Sequence, residues 1–197
     1  MHLLRVLIAL TFTCAVTSGC TIGIQGAAVK DTSSPVFVEH STGSHESVVF
    51  REILTDLVTF WEARGVPLDG VHFAQWDSQA GDTPPMCSGS VFPQPAFCSE
   101  GWLAWDAAWA RRAIAHGKYA PIVYSSRAVS DAVAYALGKP YGSDMAAVRT
   151  QECLTGAYVT AAYNAVALKN MRGMLTEVGA FVRGAESSNP TRDCMFV

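Results

Sequence analysis

Apolar positions along the chain fall into blocks of different period. Val49, Ile53, Leu57, Phe60 and Trp61 recur at three- and four-residue intervals, and Phe50, Leu54 and Val58 widen the stripe. This spacing predicts a helix over 48–65. Ser44 or Ser47 can cap its start, and Gly65 and Pro67 end it. Residues 66–97 read as loop-rich, with short strands at 71–76 and around 90–92. Pro84-Pro85, Pro93 and Pro95 forbid a long ladder there. From Leu103 onward the pattern turns helical. An Ala-rich segment over 105–116 is closed by Gly117. A second helix runs from Pro121 to Leu137, with Ile122, Ser126, Val129, Val133 and Leu137 on one face, and stops at Gly138 and Pro140. Ser143 can cap a long helix to about Leu168. A fifth helix is expected over 170–183, followed by a tail over 187–197. No internal repeat is visible. The pattern predicts a mostly α chain of the α+β kind, with a small irregular or β insert.

The first twenty residues follow a different logic. Arg5 ends a short basic stretch, residues 6–16 are apolar, and Thr17-Ser18-Gly19-Cys20 supplies small residues ending in a cysteine. That order is the signature of a secretory signal peptide. Its ending resembles a bacterial lipobox, which implies cleavage before Cys20 and a lipid on the Cys20 sulfur; an ordinary signal peptide cut elsewhere is the alternative. The expected division is a signal peptide at 1–19, a Thr-, Ser- and Gly-rich tether at 20–47, and one domain at 48–197. The expected location is the outer face of the bacterial cytoplasmic membrane, within the cell envelope, with the lipid as membrane contact.

Composition narrows the classes. The 197 residues carry 14 Lys+Arg against 17 Asp+Glu, a formal charge of −3. That lacks the basic footprint of a nucleic-acid binder. Half of the residues are apolar, which excludes disorder of the whole chain. Export permits disulfides among Cys87, Cys98, Cys153 and Cys194. Four cysteines allow three connectivities. Cys87–Cys98 closes a short Pro-rich loop, which leaves Cys153 with Cys194. A four-thiolate zinc site is the alternative, but no Cys-x-x-Cys pair supports it.

Five short motifs then occur in order: Ile53-Leu54-Thr55-Asp56-Leu57 with Phe60-Trp61; Cys87-Ser88-Gly89 with Ala96-Phe97-Cys98; Leu103-Ala104-Trp105-Asp106; Tyr119-Ala120-Pro121-Ile122-Val123; and Glu152-Cys153-Leu154-Thr155-Gly156-Ala157-Tyr158. Together they resemble a family of bacterial neutral zinc metallopeptidases, over about residues 49–163. The resemblance implies a small zincin-like helical domain. It also implies a helix bearing His-Glu-x-x-His, two imidazoles one turn apart with the Glu as general base. A third ligand, a Glu, would lie five residues before the cysteine matched by Cys153.

At those slots the chain departs. The His-Glu-x-x-His slot falls on Arg127-Ala128-Val129-Ser130-Asp131, and the third-ligand slot on Val148. Zinc catalysis needs three protein ligands and an open position for water. Here both imidazoles, the general base and the third carboxylate are missing, and a guanidinium cannot ligate. No cofactor is called for. Arg127 and Asp131, at i and i+4, can pair on one helix face, and Glu152 can join Arg127. Trp76 and Trp102, with Glu152 nearby, are the expected lining of an inherited cleft. Ser125-Ser126 lacks a nucleophile elbow. Asp77, Asp82, Glu100 and Asp106 are acids that the insert can bring together. The expectation is an envelope lipoprotein whose metallopeptidase-like domain is catalytically inactive and binds, scaffolds or regulates through a peptide or protein partner. The alternative is an extracytoplasmic zinc-dependent peptidase or other hydrolase with an atypical site.

Overall fold

The computed structural model of the chain describes residues 36–85, 94–98, 100–163 and 165–196. In chain order these form β1 (Val38–Glu39), α1 (His45–Glu62), β2 (His72–Trp76), β3 (Ala96–Phe97), β4 (Trp102–Asp106), α2 (Ala107–His116), α3 (Tyr119–Ala136), α4 (Met145–Ala162), α5 (Ala165–Met171), a 3-10 turn at Arg172–Met174, α6 (Val178–Glu186), α7 (Pro190–Asp193) and a closing 3-10 turn at Cys194–Phe196. The fold is mostly helical with a small mixed sheet. The strands lie in the order β1-β2-β4-β3, β1 and β4 parallel to β2 and β3 antiparallel to β4.

The apolar stripe of α1 sits where its period places it. Phe50, Ile53, Leu54, Leu57 and Trp61 are buried against the sheet and α3. Each such side chain contributes about 1.5–3 kcal/mol of transfer free energy. Ser44 is the N-cap, its hydroxyl accepting from the Ser47 N–H. The helix therefore starts at His45, three residues before the expected boundary. The expected tether also gives up Val38–Glu39 to the sheet, and the Val36 N–H donates to Thr55 Oγ1 at 3.0 Å. Residues 1–35, including Cys20, lie outside the described residues.

One segment expected as helix is a strand. Trp102–Asp106 pairs with all of β2, in the register His72 with Trp102 and Trp76 with Asp106. Leu103, Ala104 and Trp105 are all buried, so both faces of this strand are covered. A strand covered on both faces reads as a continuous apolar run without alternation, and so was indistinguishable from a helix start. Asp106 then caps α2, Oδ1 accepting from the Ala108 N–H at 2.9 Å. Trp105 and Trp109 are thus on different elements, yet both rings meet Phe50, at centroid distances of 5.5 and 6.0 Å. The strand expected around 90–92 lies outside the described residues; β3 follows it at Ala96–Phe97.

The C-terminal half is a helical layer. Pro121 sits in the first turn of α3, as expected. Asp144 rather than Ser143 caps α4, accepting from the Ala147 N–H at 2.8 Å. The helix stops at Ala162 because Tyr163 adopts an extended backbone. The expected long and fifth helices are therefore redistributed over α4, α5, the 3-10 turn and α6. α4 and α6 approach so closely that a β-carbon on Gly184 would lie 1.7 Å from the Cys153 carbonyl oxygen, and one on Gly156 2.1 Å from that of Phe181. Only glycine admits such backbone contact. Cys153 is disulfide-bonded to Cys194, 41 residues on, which ties the tail to α4. Closing a loop of that length is worth about 4 kcal/mol in the chain-entropy account. Cys98 is also disulfide-bonded; Cys87, its expected partner, lies outside the described residues.

Candidate functional site

Two places gather the residues that sequence reasoning singled out. The first is a polar layer between α3 and α4. These helices are rich in Ala, Ser, Thr and Gly along their shared seam, and Ser126, Ser130 and Thr155 are buried there. Small side chains bring the backbones near, so any long polar side chain at the seam is taken out of water. Arg127 and Glu152 are such side chains. The Glu152 side chain is 0% exposed and that of Arg127 14%. They form an ion pair, Arg127 Nη2 donating to Glu152 Oε1. The same Nη2 donates to the Met174 carbonyl at 2.7 Å, and the Thr176 N–H donates to Glu152 Oε1 at 2.9 Å. The Tyr124 ring lies 5.6 Å from the guanidinium carbon. A buried pair repays its desolvation only when further hydrogen bonds hold both partners. Met174, at the end of the 3-10 turn, and Thr176, between that turn and α6, supply those bonds.

Asp131 does not pair with Arg127, contrary to the i, i+4 expectation. The cation turns instead to Glu152, whose fully buried carboxylate would otherwise have no counter-charge. Asp131 Oδ2 accepts from Gln151 Nε2 at 2.7 Å. Burial pushes its carboxyl up to about 7, against the lowering effect of the Gln151 bond and the Gly142 backbone. Glu152 Oε2, Asp131 Oδ1 and Arg127 Nε are buried without a hydrogen-bond partner among the described residues. Ala128 is buried and Val148 half-buried.

Tested against zinc, this layer does not fit. The four slots present a guanidinium, a methyl, a carboxyl that burial raises to about 7, and an isopropyl group. Among the described residues no three His, Cys, Asp or Glu side chains gather as a metal site. Glu152 is already committed to Arg127, which leaves Asp131 as the one carboxyl within the slots, short of the three ligands that zinc catalysis needs.

The second place is a trough on the face of the sheet away from α1. Gln75 accepts from Ser47 Oγ on α1 and Trp105 stacks on Phe50, so residues 73, 75, 103 and 105 face the helices. Alternation puts Ala74, Trp76 and Trp102 on the opposite face. There Trp76 and Trp102 line a cavity of about 230 Å³, together with Ala74, Glu39, His40 and Asp82. Trp76 and Trp102 line the same cavity; Glu152 does not, being sealed between α3 and α4. The loop after β2 that carries Asp82 is tied down. Arg111 bridges Asp77 and Glu46, both at 3.0 Å. Asp106 accepts from the Ser78 N–H at 3.1 Å and from its hydroxyl at 2.8 Å, and Asp82 accepts from the Asp77 N–H at 3.0 Å. The Arg111 guanidinium holds the Asp77 carboxyl below the usual range.

Glu39 and His40 were missed because they fell in the stretch read as tether. His40 has φ of 59°, rare for a residue other than glycine, which no sequence signal foretold.

No protein-family model matches the chain, and neither a curated protein nor a solved structure matches it.

Proposed function

We propose that the chain is an envelope lipoprotein, anchored through Cys20, whose metallopeptidase-like domain binds a ligand or partner and carries out no peptide hydrolysis. The observation that carries this reading is the Arg127–Glu152 ion pair with its two backbone bonds. On this reading it stands beside the slots where the family resemblance implies a metal, and each partner also engages one backbone group. Peptide hydrolysis by this route needs an ion, an activated water and a general base. The slots offer a methyl group where the base would stand, and one carboxyl, Asp131, where three ligands are needed. What such a domain keeps is shape, and the trough beside Trp76 and Trp102 is the concave surface on which binding would occur.

The test uses the full-length chain. Incubated with a mixed peptide library, with and without added zinc, it leaves the library intact. Chelator-sensitive cleavage would overturn the reading. In cells, labelled palmitate enters the protein and is absent from Cys20→Ser; equal labelling of that variant would remove the anchor from the proposal.

A further inference from the structure

We infer that the trough on the outer face of the sheet binds an organic cation, an ammonium or guanidinium group on a short apolar body. This rests on the reading of the chain as a binding domain. The register places the trough's walls. His72 pairs with Trp102 and Trp76 with Asp106, so the two tryptophans stand four residues apart along the strands, about 13 Å. Between them the floor is Ala74, a methyl group. Two large rings flanking a small floor residue leave a slot rather than a filled surface. The His72 ring packs, tilted by 31°, against Trp102 at a centroid distance of 4.9 Å and steadies it.

Charge selects the occupant. Glu39 and Asp82 both line the slot, and no Lys or Arg is among its described lining residues. No hydrogen bond or ion pair engages the Glu39 carboxylate among the described residues, and Asp82 is engaged only by a backbone N–H. Arg111, at the base of the same loop, is already held between Asp77 and Glu46. The slot is therefore aromatic and negative. A neutral sugar would stack on the rings and donate hydroxyls to the carboxylates but leave their charge unneutralised, and an anion would be repelled. A cation satisfies both features, because an indole face attracts positive charge and the carboxylates neutralise it. The left-handed backbone at His40 fits this use. Strained residues persist where the surroundings hold them at binding sites, and here the strain ends β1 at the rim of the slot.

The cation can be a free amine or a Lys or Arg side chain of a peptide. The experiment follows tryptophan fluorescence of the full-length chain in detergent with paired probes. Choline is set against its neutral isostere 3,3-dimethyl-1-butanol, and acetyl-Gly-Arg-Gly-amide against the same peptide with citrulline for Arg. Saturable binding is expected for at least one cationic probe, at least tenfold tighter than for its neutral partner; which pair responds identifies the source. Trp102→Ala and the isosteric Glu39→Gln should each weaken that probe about tenfold, the latter without altering the circular dichroism spectrum. Equal binding of the neutral partners, saturable binding of glucose but of neither cation, no binding at all, or an unchanged affinity in a folded Glu39→Gln would each overturn the inference. None of these outcomes bears on the zinc and cleavage tests, so the two readings fail separately.

Discussion

The α3–α4 layer and the sheet-face trough both contain acids, but their acids are treated in opposite ways. In the layer, Glu152 is sealed and held by a guanidinium and a backbone N–H, and Asp131 is buried against Gln151. In the trough, Glu39 and Asp82 border open space between two tryptophans. The layer pairs its main charges internally, Arg127 with Glu152, although Glu152 Oε2, Asp131 Oδ1 and Arg127 Nε have no partner among the described residues. The trough has kept its own for something outside the chain. Acidic side chains therefore say little about function until their partners are known. A paired, buried carboxylate is part of the scaffold; one left beside an aromatic wall is available.

The contrast can be broken most forcefully at Arg127. Arg127→Met leaves Glu152 buried without its cation and should cost about 3–5 kcal/mol in urea unfolding. Adding Glu152→Leu should restore most of that loss, since a buried pair replaced by apolar groups is close to neutral. A loss under 1 kcal/mol for the single variant would show that the pair is not enclosed. Next in size is the helix that positions the clamp. Gly184→Ala places a methyl against the Cys153 carbonyl and should cost about 2–3 kcal/mol through displacement of α6. A variant as stable as the parent would contradict so close an approach.

A subtler test uses protons. The Asp131 carboxyl lies near 7 in the fold and near 3.8 when unfolded. Between these values the folded chain keeps a proton that the unfolded chain has lost. This group therefore removes stability as pH rises from about 4 to 7, and the loss persists above that. Asp131→Asn, which can still accept from Gln151, should gain on the order of 2 kcal/mol at pH 8 and little at pH 4. Parallel melting curves for the two proteins across that range would contradict the burial of Asp131. On the trough side the effects are small. Arg111 is 37% exposed, so Arg111→Ala should cost less than about 1 kcal/mol, and salt should shrink the difference. A larger, salt-insensitive loss would mean that the loop over the trough is built like the layer.

How far the sequence disclosed these two regions follows from the physics of each. Helical period located α1, which buries one stripe; α3 is buried on most sides, and Pro121 at its start with Gly138 and Pro140 after its end marked it instead. Glu152 was nominated as a partner of Arg127 beside Asp131, because both acids neighbour the slots that the resemblance implies; i, i+4 spacing could not show that burial of Glu152 would draw the cation to it. The strand at Trp102–Asp106 was hidden because burial on both faces erases the alternation that marks a strand. The end of α4 was hidden because Tyr163 is neither Gly nor Pro; it leaves the helix to suit its packing beside Tyr158. Trp76 and Trp102 could be nominated as aromatics without a helical stripe. Glu39 and His40 reach the trough only through a two-residue strand, too short to leave a pattern.

On the proposed reading, the Arg127–Glu152 ion pair stands where the family resemblance implies a metal. Equilibrium dialysis of the full-length chain against zinc, followed by elemental analysis, tests it most directly. The bound metal should stay far below one equivalent and be unchanged in Asp131→Asn. Close to one equivalent of chelator-removable zinc, lost in that variant, would contradict the account.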